Sequence, residues 1–318
     1  MADGRGPTRG ARGIGALVVV SLIAVLVARY IVHDEAHHAA LTLDAASTAP
    51  TRYQTPVGSR SVDAMSSGAD FMLAVGDEGA ILRHQTGEAW TTDASPTHVR
   101  LRAIAQQLDE AIAVGDDGVI VELDGGVWHL AASPTKRTLR AVVYTSYGPI
   151  AAGDGGTILR RGASERVWRV ESSGTTSDLY GACAGLRDVW VVGQSGTISL
   201  GGMAAWVPQP PISPATLYAA ACDDHAAIAV GAHGTILERL ADVGWHVTPS
   251  GTDADLLAVS ASVGTTSWLV AGASGIVLRV TGNPTREPTS IDWDLRAVTE
   301  GPLGTWIAGE KGILRRAP

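Results

Sequence analysis

Cysteine is scarce in this chain: Cys183 and Cys222 are the only two among 318 residues. That is too few for a disulfide-built scaffold or for a metal site made of thiolates. Phenylalanine occurs once, and charged side chains make up only 18% of the residues. An excess of positive charge is missing as well. At a net charge of −8 the chain lacks the electropositive footprint of a nucleic-acid binder, so no nucleic-acid partner is expected. Mild acidity otherwise speaks only to solubility. Glycine pairs are present, but no helix follows any of them. That removes a phosphate-cradling loop, and no motif calls for a cofactor or a metal.

What is present is glycine, 38 residues of it, at regular spacing. The stretch Val75-Gly76-Asp77-Glu78-Gly79-Ala80-Ile81-Leu82 returns six more times. The pairs are Gly76/Gly79, Gly115/Gly118, Gly153/Gly156, Gly193/Gly196, Gly231/Gly234, Gly272/Gly275 and Gly309/Gly312, with first glycines 37 to 41 residues apart. A period near 40 held over most of a chain marks a repeat architecture, in which one unit is too small to bury a core alone.

Each unit contains four short apolar pieces. An L-x-A-V run opens it, as in Leu101-Arg102-Ala103-Ile104 and Leu139-Arg140-Ala141-Val142. A second run leads into the first glycine, and a third follows the second glycine. A fourth carries Trp90, Trp128, Trp168, Trp206 or Trp245, each eleven residues before the next leucine. All are of strand length, bounded by turn formers, and without helical period. The Gly-x-x-Gly between the second and third pieces reads as a tight hairpin, with glycine supplying positive φ. Four antiparallel strands per unit, repeated radially, predict an all-β, seven-bladed β-propeller over residues 51–318. The last unit stops at Gly312–Arg316 without a fourth strand, so residues near 51–57 are expected to supply it and close the ring. The sixth unit has Pro284 at the tryptophan position, and its outer strand is expected to be short or displaced. Trp190, Trp268, Trp293 and Trp306 fall elsewhere in the repeat, in blade packing or on a face.

The N-terminus reads differently. Residues 1–12 carry Arg5, Arg9 and Arg12. Residues 13–32 hold the apolar run Ile14–Val32, and nineteen helical residues reach about 28 Å, close to a bilayer's hydrocarbon thickness. The positive-inside rule puts the N-terminus in the cytoplasm and the repeats outside it, in the periplasm of a Gram-negative cell. An uncleaved single-pass anchor is the reading adopted; a cleaved signal peptide is the rival. Residues 33–50 form a juxtamembrane linker. Its His33, Asp34, Glu35, His37 and His38 read as a solvated start beside the headgroups rather than as metal ligands.

The succession A-V-G-x-x-G-x-I-L-R, then x-W, then S-G-T or S-P-T, then L-x-A-V resembles BNR-like and photosystem II assembly-factor-like propeller repeats, found in many bacterial exported proteins. The resemblance covers residues 51–318 and implies the propeller fold. The assembly factors continue T-x-D-G-G-x-x-W, of which Leu82–Trp90 keeps little, so a photosynthetic role is not carried over. A propeller glycosidase of the sialidase type would need a basic cluster, a tyrosine nucleophile with a carboxylate partner, and a general acid. No S-x-D-x-G-x-x-W box occurs. Tyr144, Tyr147, Tyr180 and Tyr218 read as packing residues rather than nucleophiles, and no catalytic residue is assigned.

The variable middle pair of the turn is the candidate binding face. Asp77, Glu78, Asp116, Asp117 and Asp154 occupy one repeat position in three successive blades, and His233, Glu310 and Lys311 occupy it in later ones. Such residues would meet a basic partner, or merely serve the turns. The loops from tryptophan strand to next blade, such as Ser133-Pro134-Thr135-Lys136-Arg137, are expected on the same face. Cys183 and Cys222 fall at the inner-strand ends of adjacent blades. A disulfide is allowed outside the cytoplasm. Their registers differ by one, which by strand alternation points the side chains apart and favours two buried thiols. The function expected is a non-catalytic, membrane-anchored propeller, monomeric, with a protein or glycan partner on one face. The alternative is a sialidase-like or other propeller glycoside hydrolase, or a glycan-binding protein.

Overall fold

The computed structural model describes residues 53–54 and 61–316, except 187, 203–204, 224, 241–242 and 263–266. The Ile14–Val32 segment, the 33–50 linker with its histidines, and Arg52, Thr55 and Pro56 lie outside the described residues. Among the described residues no helix is long and apolar enough to cross a membrane.

Seven four-stranded antiparallel sheets follow one another along the chain, one per repeat. Blade 2 is representative: Leu101–Gln107, Glu110–Gly115, Ile120–Asp124 and Val127–Leu130 run from inner to outer strand. The ring closes as the repeat count requires. Tyr53–Gln54 pairs antiparallel with Gly312–Arg316 and completes the seventh sheet, Tyr53 opposite Arg316 and Gln54 opposite Arg315.

Hydrophobic burial explains why the second strand of each blade is apolar without alternation. It lies between two neighbouring blades, so both faces are covered. Phe71–Gly76 is buried at every residue. Leu73 and Val75 face blade 2, while Met72 and Ala74 face blade 7. The core is accordingly seven interblade clusters rather than one. Trp190, Trp268 and Trp306 are buried in these clusters, with Trp293 partly so.

The two turn glycines have different tasks. The first is extended, with φ between −174° and −165° in blades 1 to 6, where any residue is tolerated. Close approach is what demands glycine there. A Cβ on Gly153 would meet the Thr138 carbonyl oxygen at under 3.0 Å, and the next amide, Asp154 N, donates to that same oxygen at 2.9 Å. The pattern recurs in all seven blades, the amides lying 2.8–3.4 Å from the carbonyl that precedes the inner strand.

The second glycine does adopt positive φ, but not in the tight hairpin expected of the motif. That hairpin holds only in blade 7, where Gly309 pairs Gly312 across two residues. In the other six blades Gly79, Gly118, Gly156, Gly196, Gly234 and Gly275 each end a three-residue 3-10 segment, with φ between +68° and +71°. The residue after the glycine closes this segment, as when Val119 N donates to Asp116 O at 3.0 Å and Ile276 N to Ala273 O at 3.2 Å. These second glycines therefore lie within the loop instead of opposite the first. The reason is packing against the incoming loop. Gly118 rests on the Thr135 carbonyl, Gly156 on that of Thr175, Gly196 on Ser213, Gly234 on Thr252 and Gly275 on Ile291, each too close for a Cβ. That loop is shaped by its own serine: Ser173 Oγ donates to Thr175 O at 3.0 Å and accepts from Thr175 N at 3.3 Å. The S-G-T and S-P-T motifs are therefore turn chemistry.

The sixth outer strand departs from expectation. Asn283–Arg286 has four residues, against two in blades 1 and 4, and Pro284 stands opposite Val280 in the register of the tryptophans. Proline is tolerated because this is the edge strand, where a missing N–H breaks no ladder.

Successive blades are also stapled by polar contacts from the outer-strand tryptophans. Trp128 Nε1 donates to Asp93 of blade 1 at 3.0 Å, Trp168 Nε1 to Glu122 of blade 2 at 2.8 Å, and Trp206 Nε1 to Glu171 of blade 3 at 2.9 Å. Each carboxylate is held in turn by an arginine: Arg83, Arg161 and Arg160. Hydrogen bonds to charged acceptors of this kind contribute about 1.5–3 kcal/mol each.

Gly153→Ala should destabilise by on the order of 3 kcal/mol, since backbone must move. Gly87→Ala meets no neighbouring atom and should lose only about 1 kcal/mol, from its φ of +79°. Urea unfolding of the two variants separates these outcomes. Glu122→Ala strands the Arg161 guanidinium, whose side chain is only 10% exposed, and should cost about 3 kcal/mol. Asp124→Ala breaks only the exposed pair with Arg166 and should leave the unfolding midpoint almost unchanged.

Candidate functional site

Each inner strand contains a β-bulge at the x of L-x-A. Leu101 pairs Gly115 and Ala103 pairs Val114, with Arg102 left over, and the same shift occurs in all seven blades. A bulge re-aims the extra side chain. Here it delivers seven residues to one mouth of the central channel: Arg102, Arg140 and Arg296, Tyr180 and Tyr218, and Asp63 and Leu257. Beneath them six alanines and Gly181 form the next ring, and the cavity they enclose is about 200 Å³. The channel is thus narrowed by backbone and small side chains just below its mouth.

The Gly-x-x-Gly turns surround this mouth, and their acids meet its arginines. Arg102 forks onto the Asp116 carboxylate, and Arg140 does the same to Asp154. Arg296 Nη2 lies 2.9 Å from Glu310 and Arg296 Nη1 3.7 Å from Asp63. Arg100 Nε bridges Asp63 at 2.5 Å and Asp77 at 3.1 Å. Asp116 feels two opposed effects. Burial raises its carboxyl, but the hydrogen bond from Arg102 and the charges of Arg102, Arg100 and Arg140 outweigh it and hold the group below its ordinary value. Asp116, Asp154 and Glu310 are therefore counter-ions of the three mouth arginines, and Asp77 of Arg100, which precedes the inner strand. The second member of the middle pair points differently. Glu78, Asp117 and His233 stand in the left-handed region, with Asp117 and His233 among the exposed residues. His233 N donates to Asp255 of the following blade at 2.9 Å, as Gly155 N does to Asp178 at 2.7 Å. Lys311 reaches Asp292 at 3.0 Å on an exposed edge.

The tyrosines divide. Tyr180 and Tyr218 sit side by side at the mouth, ring centroids 6.0 Å apart, with Arg140 over Tyr180 at 5.2 Å. Burial raises both phenols, Asp178 adding to it at Tyr180 and Asp255 at Tyr218. Tyr144 lies in a separate cleft between blades 2 and 3, and burial with nearby Glu110 pushes it up strongly. Tyr147 is exposed on a loop. Tyr144, Tyr180 and Tyr218 are thus moved away from the ionised form a nucleophile needs. Among the described residues, no three His, Cys, Asp or Glu side chains converge as a metal ion would require.

Cys183 and Cys222 are joined in a disulfide with Cα atoms 5.5 Å apart. The one-residue offset in register, expected to part them, is what brings them together. Neighbouring blades confront one another with opposite faces. Cys183 of blade 4 and Cys222 of blade 5 both turn into the cluster between those blades. The alternation rule applies within a sheet, and this bond crosses between two.

The arginines of the mouth were hidden in the sequence because L-x-A-V treats x as variable. The signal was there: Arg occupies it in three of seven copies.

The fold and this mouth define a seven-bladed β-propeller with four-stranded blades. Solved structures agree on the fold. The chain is similar to YCF48 bound to D1 peptide, with 16% identity and a TM-score of 0.69 over 88% of this chain and 98% of that one. It is also similar to YCF48 from Cyanidioschyzon merolae (14%, TM-score 0.68, 84% and 98%). The WD40 β-propeller domain of Doa1 is a third likeness (12%, TM-score 0.66, 83% and 96%). The resemblance to photosystem II assembly-factor-like repeats is thus met at the level of the propeller. No family profile and no curated protein matches the chain.

Replacing Arg102 by Met should let the Asp116 carboxyl titrate at higher pH than in the unaltered protein. Carbon-detected NMR titration of the aspartates reads this directly. An unchanged Asp116 titration would show that the ion pair does not hold in solution.

Proposed function

We propose that this chain is a non-catalytic scaffold that binds a protein partner on the turn face, as part of assembling or organising a membrane complex. The observation that carries the reading is the channel mouth. Seven bulged strands fix arginines, tyrosines and carboxylates on a rigid rim, and the charges there are matched to one another rather than poised for proton transfer. Polar groups held in place on a rigid frame suit recognition. A propeller of the same fold, YCF48, has been seen with a D1 peptide bound, which shows that such a frame accepts a peptide in that protein.

The proposal includes anchoring by residues 13–32 and an extracytoplasmic ring. The apolar run with its preceding arginines supports the first. The Cys183–Cys222 bond supports the second, since disulfides persist in oxidising compartments. A sialidase-like hydrolase would need an activated tyrosine, and burial moves Tyr180 and Tyr218 away from it.

A photo-crosslinking residue placed at Asp117 on the turn face, in the full chain within its native membrane, tests the reading. It should give a discrete protein adduct. The same probe at Leu108, an exposed hairpin tip at the opposite face, should not. Equal adducts from both positions, or none from Asp117, would overturn the assignment of the turn face.

A further inference from the structure

The boundary between blades 4 and 5 lacks the staple that holds the three boundaries before it. Three residues after the outer-strand tryptophan, blades 1 and 3 carry Asp93 and Glu171; blade 4 carries Gln209. Its side chain turns away, donating to the Val207 carbonyl at 3.0 Å. On the third strand, the position of Arg83 and Arg160 is taken by Leu200. Trp245 of blade 5 still reaches back to the shared cluster, packing edge-on against Trp190 at 5.4 Å. Its Nε1 is buried without an acceptor, and so is Ser199 Oγ, next to Leu200 in the chain.

What this boundary has instead is the Cys183–Cys222 disulfide, linking the two inner strands across 39 residues of chain, together with the Arg239 guanidinium of blade 5 over the Trp190 ring of blade 4 at 4.8 Å. A cavity of about 350 Å³ opens against it, walled by Gly185, Leu186, Trp190, Cys222 and Arg239. Cys183 is 5% exposed and does not line the cavity, whereas Cys222 does. The two residues are therefore unequal: Cys183 is enclosed, whereas Cys222 is half-buried and forms part of the cavity wall.

We propose that Cys183–Cys222 is a thiol–disulfide exchange site for a dithiol, entered through this cavity at Cys222, and that its redox state decides whether blades 4 and 5 stay docked. A thiolate of the dithiol attacks Cys222 Sγ, and Cys183 leaves as a thiolate that takes up a proton. The second thiol of the dithiol then displaces Cys222. The dithiol ends as a disulfide, having given up two electrons, and the protein gains two thiols. At the other tryptophan-bearing boundaries of blades 1 to 4, the carboxylate staples are untouched by this chemistry.

Hydrogen exchange of the full chain, with and without dithiothreitol and with free thiols counted by mass, tests the proposal. Both thiols should appear under native conditions. Exchange should then rise by about tenfold in peptides covering residues 179–193 and 217–231, with blades 1 to 3 unchanged. A Leu200→Arg, Gln209→Glu variant transplants the Arg160–Glu171 pair to blade 4. It should keep its protection when reduced. A disulfide that resists native reduction, reduced protein with unaltered exchange, or loosening spread evenly over all blades would each overturn the proposal. A Cys183→Ser, Cys222→Ser variant should reproduce the local loosening without reductant. Should it fail to fold, reduction of the folded wild-type chain still decides the matter.

Discussion

One backbone crossing recurs seven times and sets the rest of the molecule. The carbonyl that precedes each inner strand lies against the Cα of the first turn glycine, where a methyl group would not fit, and accepts the amide of the next residue. This contact pins the start of the inner strand to the turn between the second and third strands. The strand then bulges by one residue, and the bulged side chain enters the channel mouth. The turn, the bulge and the charged mouth thus adjoin one another in every blade. Apolar burial drives the blades together, and the bulge beside this crossing turns the x residue toward the axis.

The seven boundaries share apolar packing and differ in their polar fastening. Tryptophan–carboxylate–arginine staples hold blades 1 to 4. Blades 6 and 7 are joined by Arg279 to Glu300 and Arg316 to Glu287. The closing boundary has its added strand and an aromatic cluster in which His84, Trp90 and Trp306 all touch one another. Burial there, with Arg315 nearby, keeps the His84 imidazole below its ordinary value. Blades 4 and 5 have a disulfide and the Arg239 guanidinium over Trp190, with no carboxylate staple among the described residues. In a repeat protein stability is close to a sum of nearest-neighbour terms, so unequal fastenings make unequal weak points. The ring is regular in shape and irregular in strength.

The site was only half legible. Asp77, Asp116 and Asp154 stood out because acidic residues recurred at one turn position. The partners Arg102 and Arg140 did not, because their ion pairs between strand and turn exist only once the bulge has re-aimed the arginine, and Arg100, just before the inner strand, meets Asp77 only through the neighbouring blade. Asp116 and Asp154, read as docking charge, are paired with Arg102 and Arg140, while the neighbouring Asp117 stays exposed. The second glycines of the turns were legible as positive-φ positions, yet their place inside a 3-10 loop was not, because it depends on the carbonyl of a loop some twenty residues further on. Pro284 is a similar case. Its effect on a strand depends on whether the missing N–H faces a neighbour or an edge, and an edge is a property of the assembled sheet.

The sequence by itself determined the number of blades, the strand count in each and the closure by residues near 53, because local periodicity and turn chemistry recur every 40 residues and are readable without knowing what packs on what. Only the tertiary structure decided which face of a blade confronts its neighbour. That choice joined Cys183 to Cys222 despite their registers, left Trp245 without an acceptor, and gathered the x residues of L-x-A-V into one ring. Each of these is a relation between blades, and blade-to-blade facing arises from wrapping sheets around an axis, which no single repeat encodes.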